Sequence, residues 1–144
     1  MQTLDKKLRN SCWAIPIRFF SIKYGTTKLP SIRVDKKLLL TANCQLFVYN
    51  LLHHFGYTFL TFRSSELWKD KKYTRKVRRI KPLDILLFAE QRKAYRAHIG
   101  LYLGSNRVIH LSKEIGYPTV WDFKEFKKRK LYKIFIGAKR LKEI

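Results

Sequence analysis

The sequence predicts an α+β fold, N-terminal helices packed on an antiparallel sheet, from three observations. Apolar residues recur at helical spacing from Leu46 to Phe55. From Asp84 onward the pattern changes to short apolar runs of strand length. Two of those runs are separated by Gly104-Ser105-Asn106, a tight-turn sequence. Helices first and hairpin-linked strands afterwards is the order of an α+β domain.

Each element has its own signal. Residues 1–40 are mixed, and Pro16, Gly25 and Pro30 break any long element there. Asn43 is a favourable N-cap for the helix carrying Leu46, Phe47, Leu51, Leu52 and Phe55. Gly56 is its C-terminal stop. Ser64-Ser65-Glu66-Leu67-Trp68 opens a second, short helix. The stretch 69–81 is a charged loop or an exposed hairpin. Strands follow at 85–88, 98–103 and 107–111. Asp122 caps a short helix over 122–128, and 131–138 is a final strand. The segment 117–121 packs over the hairpin, with Trp121 as a possible cleft wall.

Length and composition bound the function. At 144 residues the chain is one domain with a real core, read as a basic extension over 1–40 packed on a domain over 41–144. Its 46% hydrophobic and 15% aromatic content argues against disorder. No stretch is long enough to span a membrane as a helix. The run 13–20, interrupted by Pro16 and Arg18, does not make a signal peptide, which points to a cytoplasmic location or a non-classical route of release. Two cysteines, Cys12 and Cys44, form no disulfide framework, and a reduced compartment is the simpler reading than a single bridge.

The net charge is +22, and it lies at the periphery. Lys and Arg crowd 1–40, 67–81 and 124–144, whereas 41–66 and 82–123 are nearly balanced. Basic blocks around a near-neutral centre attract polyanions through salt-sensitive forces, so nucleic acid, anionic headgroups and anionic cell-wall polymers are all partners to consider.

The chemistry lies in the near-neutral centre. Cys44 sits one residue past an N-cap, where the helix dipole and free amides favour a thiolate, and its own amide can face an oxyanion. His98 leads a strand that packs on this helix and can share the thiol proton. His110 closes the run Val108-Ile109-His110 of the next strand, and hairpin pairing makes it a neighbour able to hold the His98 imidazole in one tautomer. Taken singly, Cys44 reads as a buried small hydrophobe and each histidine as a satisfied structural residue. Taken together on this layout, they read as a Cys-His nucleophilic site. His53-His54 read as caps of helix carbonyls, and no zinc-like ligand spacing accompanies them.

Four segments carry a family resemblance: Asn43-Cys44-Gln45-Leu46-Phe47-Val48, Lys81-Pro82-Leu83-Asp84-Ile85-Leu86-Leu87-Phe88, His98-Ile99-Gly100-Leu101-Tyr102-Leu103-Gly104 and Ile109-His110-Leu111-Ser112. In order and spacing they resemble the NlpC-like cell-wall cysteine peptidases, the compact bacterial branch of the papain-like fold. Their motifs are Asp-Cys-Ser-Gly, Lys-Pro-Gly-Asp, His-Val-Gly-Ile-Tyr-Leu-Gly and Ile-His-Ala-Ser. The resemblance implies Cys44 as nucleophile, His98 as general base and acid, and His110 as the polar third member. It implies hydrolysis of amide bonds in peptidoglycan stem peptides through an acyl-enzyme, with no metal or other cofactor. Asp84 reads as a residue that fixes the loop before its strand.

The departures bear on the substrate. Asn43 stands where the family has an acid that holds a substrate amino group, and Gln45-Leu46 stands for Ser-Gly. Ser64 and Ser65 fall where members place a substrate-side loop, with local helix capping as the alternative. Asn43, Gln45, Ser64, Ser65 and Trp121 are therefore the substrate-contact expectations. The family's tyrosine shortly before the nucleophile has no counterpart, Tyr24 being too distant in sequence to assign. The alternatives are a basic nucleic-acid-binding module on a papain-like body, or a protease, deamidase or acyltransferase acting on proteins.

Overall fold

In a computed structural model the described residues are 15–25 and 41–142. Cys12 and most of the 1–40 extension lie outside them. A 3-10 turn, Ile17–Ser21, leads into β1 (Lys23–Tyr24), which pairs in parallel with β2 (Thr41–Ala42). Then come α1 (Cys44–His54), α2 (Ser64–Lys69), β3 (Thr74–Val77), β4 (Ile85–Ala89), β5 (His98–Gly104), β6 (Arg107–Leu111), β7 (Pro118–Trp121), α3 (Phe123–Lys127), a 3-10 turn (Lys130–Tyr132) and β8 (Ile134–Leu141). The fold is α+β. The main sheet has six antiparallel strands in the order β3-β8-β4-β5-β6-β7.

Local chemistry accounts for the boundaries. The Asn43 side chain accepts the Leu46 N–H at 2.8 Å and caps α1, and Gly56 ends its C-terminal turn at φ 99°. The Glu66 carboxylate reaches back to the Arg63 N–H and closes the start of α2. Asp122 caps α3 by accepting the Glu125 N–H. Ser105 and Asn106, at φ 52° and 59°, make the left-handed turn between β5 and β6. Tyr102 Oη accepts the Asn106 N–H and steadies that turn.

The sheet has two differently furnished faces. Ile85, Leu87, Ile99, Leu101, Ile109 and Leu111 form one core with α1, which lies across β5 and β6. Leu86, Phe88, Val108, Trp121, Phe126, Tyr132 and Ala138 form a second, largely aromatic core on the opposite face. Phe88 and Phe126 stack there with centroids 3.9 Å apart. Buried side chains of this size contribute about 1.5–3 kcal/mol each, so the two cores set the strand order and sandwich the histidine-bearing strands.

Three expectations need correction. The charged stretch 69–81 is not all loop: 74–77 is β3, an edge strand paired with β8. The Asp70 carboxylate accepts the Lys72, Tyr73 and Thr74 N–H groups and the Thr74 hydroxyl, which shapes the turn into it. Cations on the following positions guard an edge. The segment 118–121 does not pack over the hairpin but extends the sheet as β7 beside β6. Pro118 begins that edge strand, where its missing N–H costs nothing to a central ladder. The final strand is shifted to Ile134–Leu141. It runs on through a buried Lys139 and through Arg140, whose charges concealed its C-terminal end in the sequence. Lys139 is 1% exposed and donates to the Trp68 and Asp70 carbonyls at the end of α2.

Asp84 is 1% exposed. It accepts the Lys81 N–H at 2.7 Å and is clamped by Arg140 at 2.8 and 2.9 Å. It therefore fixes the turn before β4. Leu83 in that turn has φ 76°, a left-handed conformation, at the position where the resembling motif has glycine.

Candidate active site

A cleft of about 690 Å³ opens at the end of the sheet where β4 finishes and β5 begins. Its lining includes Tyr24, Asn43, Cys44, Gln45, His98 and Tyr132. Cys44 reaches it as the first residue of α1, and His98 as the first residue of β5. The α1–β5 packing thus converts two distant sequence positions into neighbours.

The second histidine stands behind the first. His98 Nε2 and His110 Nδ1 are 2.8 Å apart, and both rings are buried. The register explains this contact: Gly100 pairs with His110 across the β5–β6 ladder, so His98 is its diagonal neighbour. Gly100 is required there. A Cβ on it would lie 2.6 Å from Val108 Cγ1 and 3.5 Å from His110 Cβ.

Aromatic rings hold both imidazoles. His98 stacks on Tyr132 with centroids 4.4 Å apart. His110 lies 4.2 Å from the Trp121 centroid and 4.8 Å from that of Phe126. His110 Nε2 has no hydrogen-bond partner among the described residues. One proton must sit between the paired nitrogens. If His98 carries it on Nε2, its Nδ1 lone pair is left for a second proton exchange, and the His110 proton goes to Nε2 among the rings.

Burial sets the protonation states. It pushes His98 down to about 3. Burial, then the neighbouring His98, then Arg129 push His110 down to about 2. Burial raises the Cys44 thiol above its ordinary value, and the amides of Ile99, Gln45 and Cys44 itself pull it back only in part. The expected helix-start thiolate is thus corrected: desolvation outweighs the amides, and the resting pair is a neutral thiol beside a neutral imidazole. Those same amides surround the sulfur, where an oxyanion would form on attack.

The substrate-contact expectations divide. Asn43 and Gln45 line the cleft. Ser64 lies behind it, 1% exposed, accepting from Gln45 Nε2 at 2.8 Å and donating to the Ala97 carbonyl at 2.6 Å. It ties α2 to the residue before His98 and orients Gln45. Ser65 is not among the lining residues. Trp121, 8% exposed, backs His110 and is no cleft wall. Tyr24, set aside as too distant, is in the lining because β1 pairs with β2 two residues before Cys44. Burial, and next the Cys44 charge, raise its phenol. Tyr132 had no signal at all in its Lys-rich segment. Among the described residues no group of three or more His, Cys, Asp or Glu is placed to hold a metal ion, and no helix is long and apolar enough to cross a membrane. His53 Nδ1 contacts the Tyr57 carbonyl at 3.2 Å, just past the end of α1.

The family model for NlpC/P60 matches residues 23–133. The chain belongs to the NlpC/P60 family. Membership makes it a cysteine peptidase or amidase in general terms. No curated protein matches it. The NlpC/P60 match begins at the β1 residue Lys23 and runs past Tyr132, so both tyrosines of the cleft fall inside it.

Proposed function

We propose that the protein hydrolyses an amide bond in peptidoglycan stem peptides through a thioester acyl-enzyme, with Cys44 as nucleophile, His98 as general base and acid, and His110 as the third member. The observation that carries this reading is the 2.8 Å His98–His110 contact behind a cleft that also exposes Cys44. In the forward step Cys44 Sγ attacks the carbonyl carbon as His98 takes the thiol proton. The resulting imidazolium donates from Nε2 to His110 Nδ1. The amides around the sulfur, with the Tyr24 hydroxyl at the cleft wall, face the oxyanion. His98 then gives its proton to the leaving nitrogen and the C–N bond breaks. Water, deprotonated by His98, cleaves the thioester and restores the thiol.

Asn43 and Gln45 line the groove as substrate contacts in this reading. The neutral Asn43 side chain spends its oxygen on the Leu46 N–H, which favours a partner other than a substrate ammonium. Incubation with muropeptides, read by mass spectrometry for wild type beside Cys44→Ala, tests the proposal. A new amine and acid pair formed by wild type alone is expected. Intact muropeptides with wild type would remove the peptidoglycan reading.

A further inference from the structure

Behind His110, at the surface edge of the aromatic core, stands a cation whose side chain is 30% exposed. The Arg129 guanidinium lies 4.4 Å from the Trp121 centroid, and the same indole packs on His110 at 4.2 Å. Arg129 is held there by Glu125 at 3.0 Å and Glu114 at 2.7 Å. The result is a file of groups from cleft to surface: Cys44, His98, His110, Trp121, Arg129. The reaction drawn above needs none of the last two.

We propose that Arg129, stacked on Trp121, is a positioning residue that keeps the positive charge formed during turnover on His98 and off His110. The proposal rests on the Cys44–His98–His110 reading. When His98 takes the thiol proton at Nδ1, the proton on its Nε2 is shared with His110 Nδ1 across 2.8 Å. Transfer of that proton would leave His110 with protons on both nitrogens and His98 neutral. His98 would then be a poor acid toward the leaving nitrogen. A fixed cation beside the indole opposes charge on the inner ring more than on the outer one, because Coulomb energy falls with distance. The depressed proton affinity of His110 agrees, with Arg129 among its causes. His110 Nε2, buried with no hydrogen-bond acceptor among the described residues, gives a cationic His110 no compensation on its other side.

The ionisable groups around this ring have consistent effects. His98 faces it from β5 and Tyr132 from the 3-10 turn, while β7 and α3 present Trp121 and Phe126. Glu114 and Glu125 stand with Arg129, so removing the cation uncovers two carboxylates that also favour a charged His110. Loss of Arg129 therefore has one sign.

The test uses Arg129→Met and Arg129→Lys, each alone and with His110→Asn, and two readouts. Without the cation a proton on the histidine pair is easier to hold, so Cys44 ionises more readily. Arg129→Met should raise the rate of Cys44 alkylation by iodoacetamide at neutral pH about threefold. It should lower kcat about tenfold, with KM little changed, because the proton settles on the wrong ring. Arg129→Lys should stay near wild type in both. With His110→Asn present, Arg129→Met should have little further effect on either. A loosened fold would also speed alkylation, by uncovering the buried thiol, but it would do so in both backgrounds, whereas the proposed effect disappears beside His110→Asn. Unchanged or slower alkylation by Arg129→Met, or an undiminished effect beside His110→Asn, would overturn the proposal. Alkylation needs no substrate, so absence of turnover by wild type would sink the functional reading and leave this inference still decided.

Discussion

His110 is buried with one ring nitrogen spent on His98 and the other facing rings. That arrangement predicts unequal effects of substitution. His98→Ala removes the group that exchanges protons with Cys44 and should abolish turnover. His110→Ala leaves that group but not its orienter, and should retain activity reduced by about 10²-fold to 10⁴-fold; His110→Asn, which keeps an acceptor, should recover part of it. Steady-state rates on one substrate decide, and full activity of His98→Ala would remove the assignment. The same two residues predict acid lability. Both are neutral in the folded protein down to about 3 and 2. Unfolded histidines take up protons near 6.5. As pH falls below about 6.5 the unfolded state binds protons the folded state refuses, so stability falls with falling pH by up to about 1.4 kcal/mol per unit for each histidine until the folded values are reached. Urea midpoints from pH 7 to pH 4 should fall less steeply for His98→Asn or His110→Asn than for wild type.

At the scale of elements, close approach of backbones sets the geometry. Gly100 lets β5 and β6 come together where the histidines meet. Gly100→Ala drives a Cβ into Val108, forces the strands apart and should cost about 1–3 kcal/mol. It should also cut activity more than that loss of stability explains, since the His98–His110 distance opens with the strands. A crystal structure or paired melting and kinetic measurements would show it. The turn before β4 carries the opposite conflict. Leu83 holds a left-handed conformation, costing about 1 kcal/mol relative to glycine, yet its side chain is 6% exposed and packs in the α1-side core. Burial of a leucine contributes about 1.5–3 kcal/mol, so packing wins over strain. Leu83→Gly, although it restores the family motif, should lower stability by about 1 kcal/mol; a raised melting temperature would show strain to be the larger effect.

At the scale of the whole molecule, the basic block at the β3 edge of the sheet is separate from the cleft, which has its own cations in Lys93, Arg96 and Lys113. Arg75 and Lys76 lie on the edge strand β3, Lys71, Lys72, Arg78 and Arg79 flank it, and none lines the 690 Å³ cleft. Neutralising all six should weaken retention on sacculi and flatten its salt dependence. Turnover of a small uncharged peptide should change by less than about twofold. A large fall in that turnover with retention intact would instead make β3 part of the working site.

The sequence alone determined whatever depends on local pattern. The 3.6-residue period and Asn43 cap of α1, the two-residue turn at Ser105-Asn106 and the apolar runs of β4, β5 and β6 are short-range signals, and with the four motif segments they were enough for the α+β class and the family. Cys44 and His98 were named for the same reason, each standing at the start of one of those elements, and His110 because it lies on the strand that the turn brings back beside His98. The tertiary structure decided what depends on distant neighbours. Charged β3 was obscure because its ladder partner is the distant β8, and the C-terminal half of β8 because the carbonyls that receive Lys139 lie 71 and 69 residues away. Tyr24 entered the cleft through a strand pair and Tyr132 through stacking on His98, contacts that leave no mark on the neighbouring residues. The thiol's charge state was likewise beyond local reading. A helix start draws a thiol toward ionisation, but how much protein covers it is set by the folded cleft, and here burial is the larger effect.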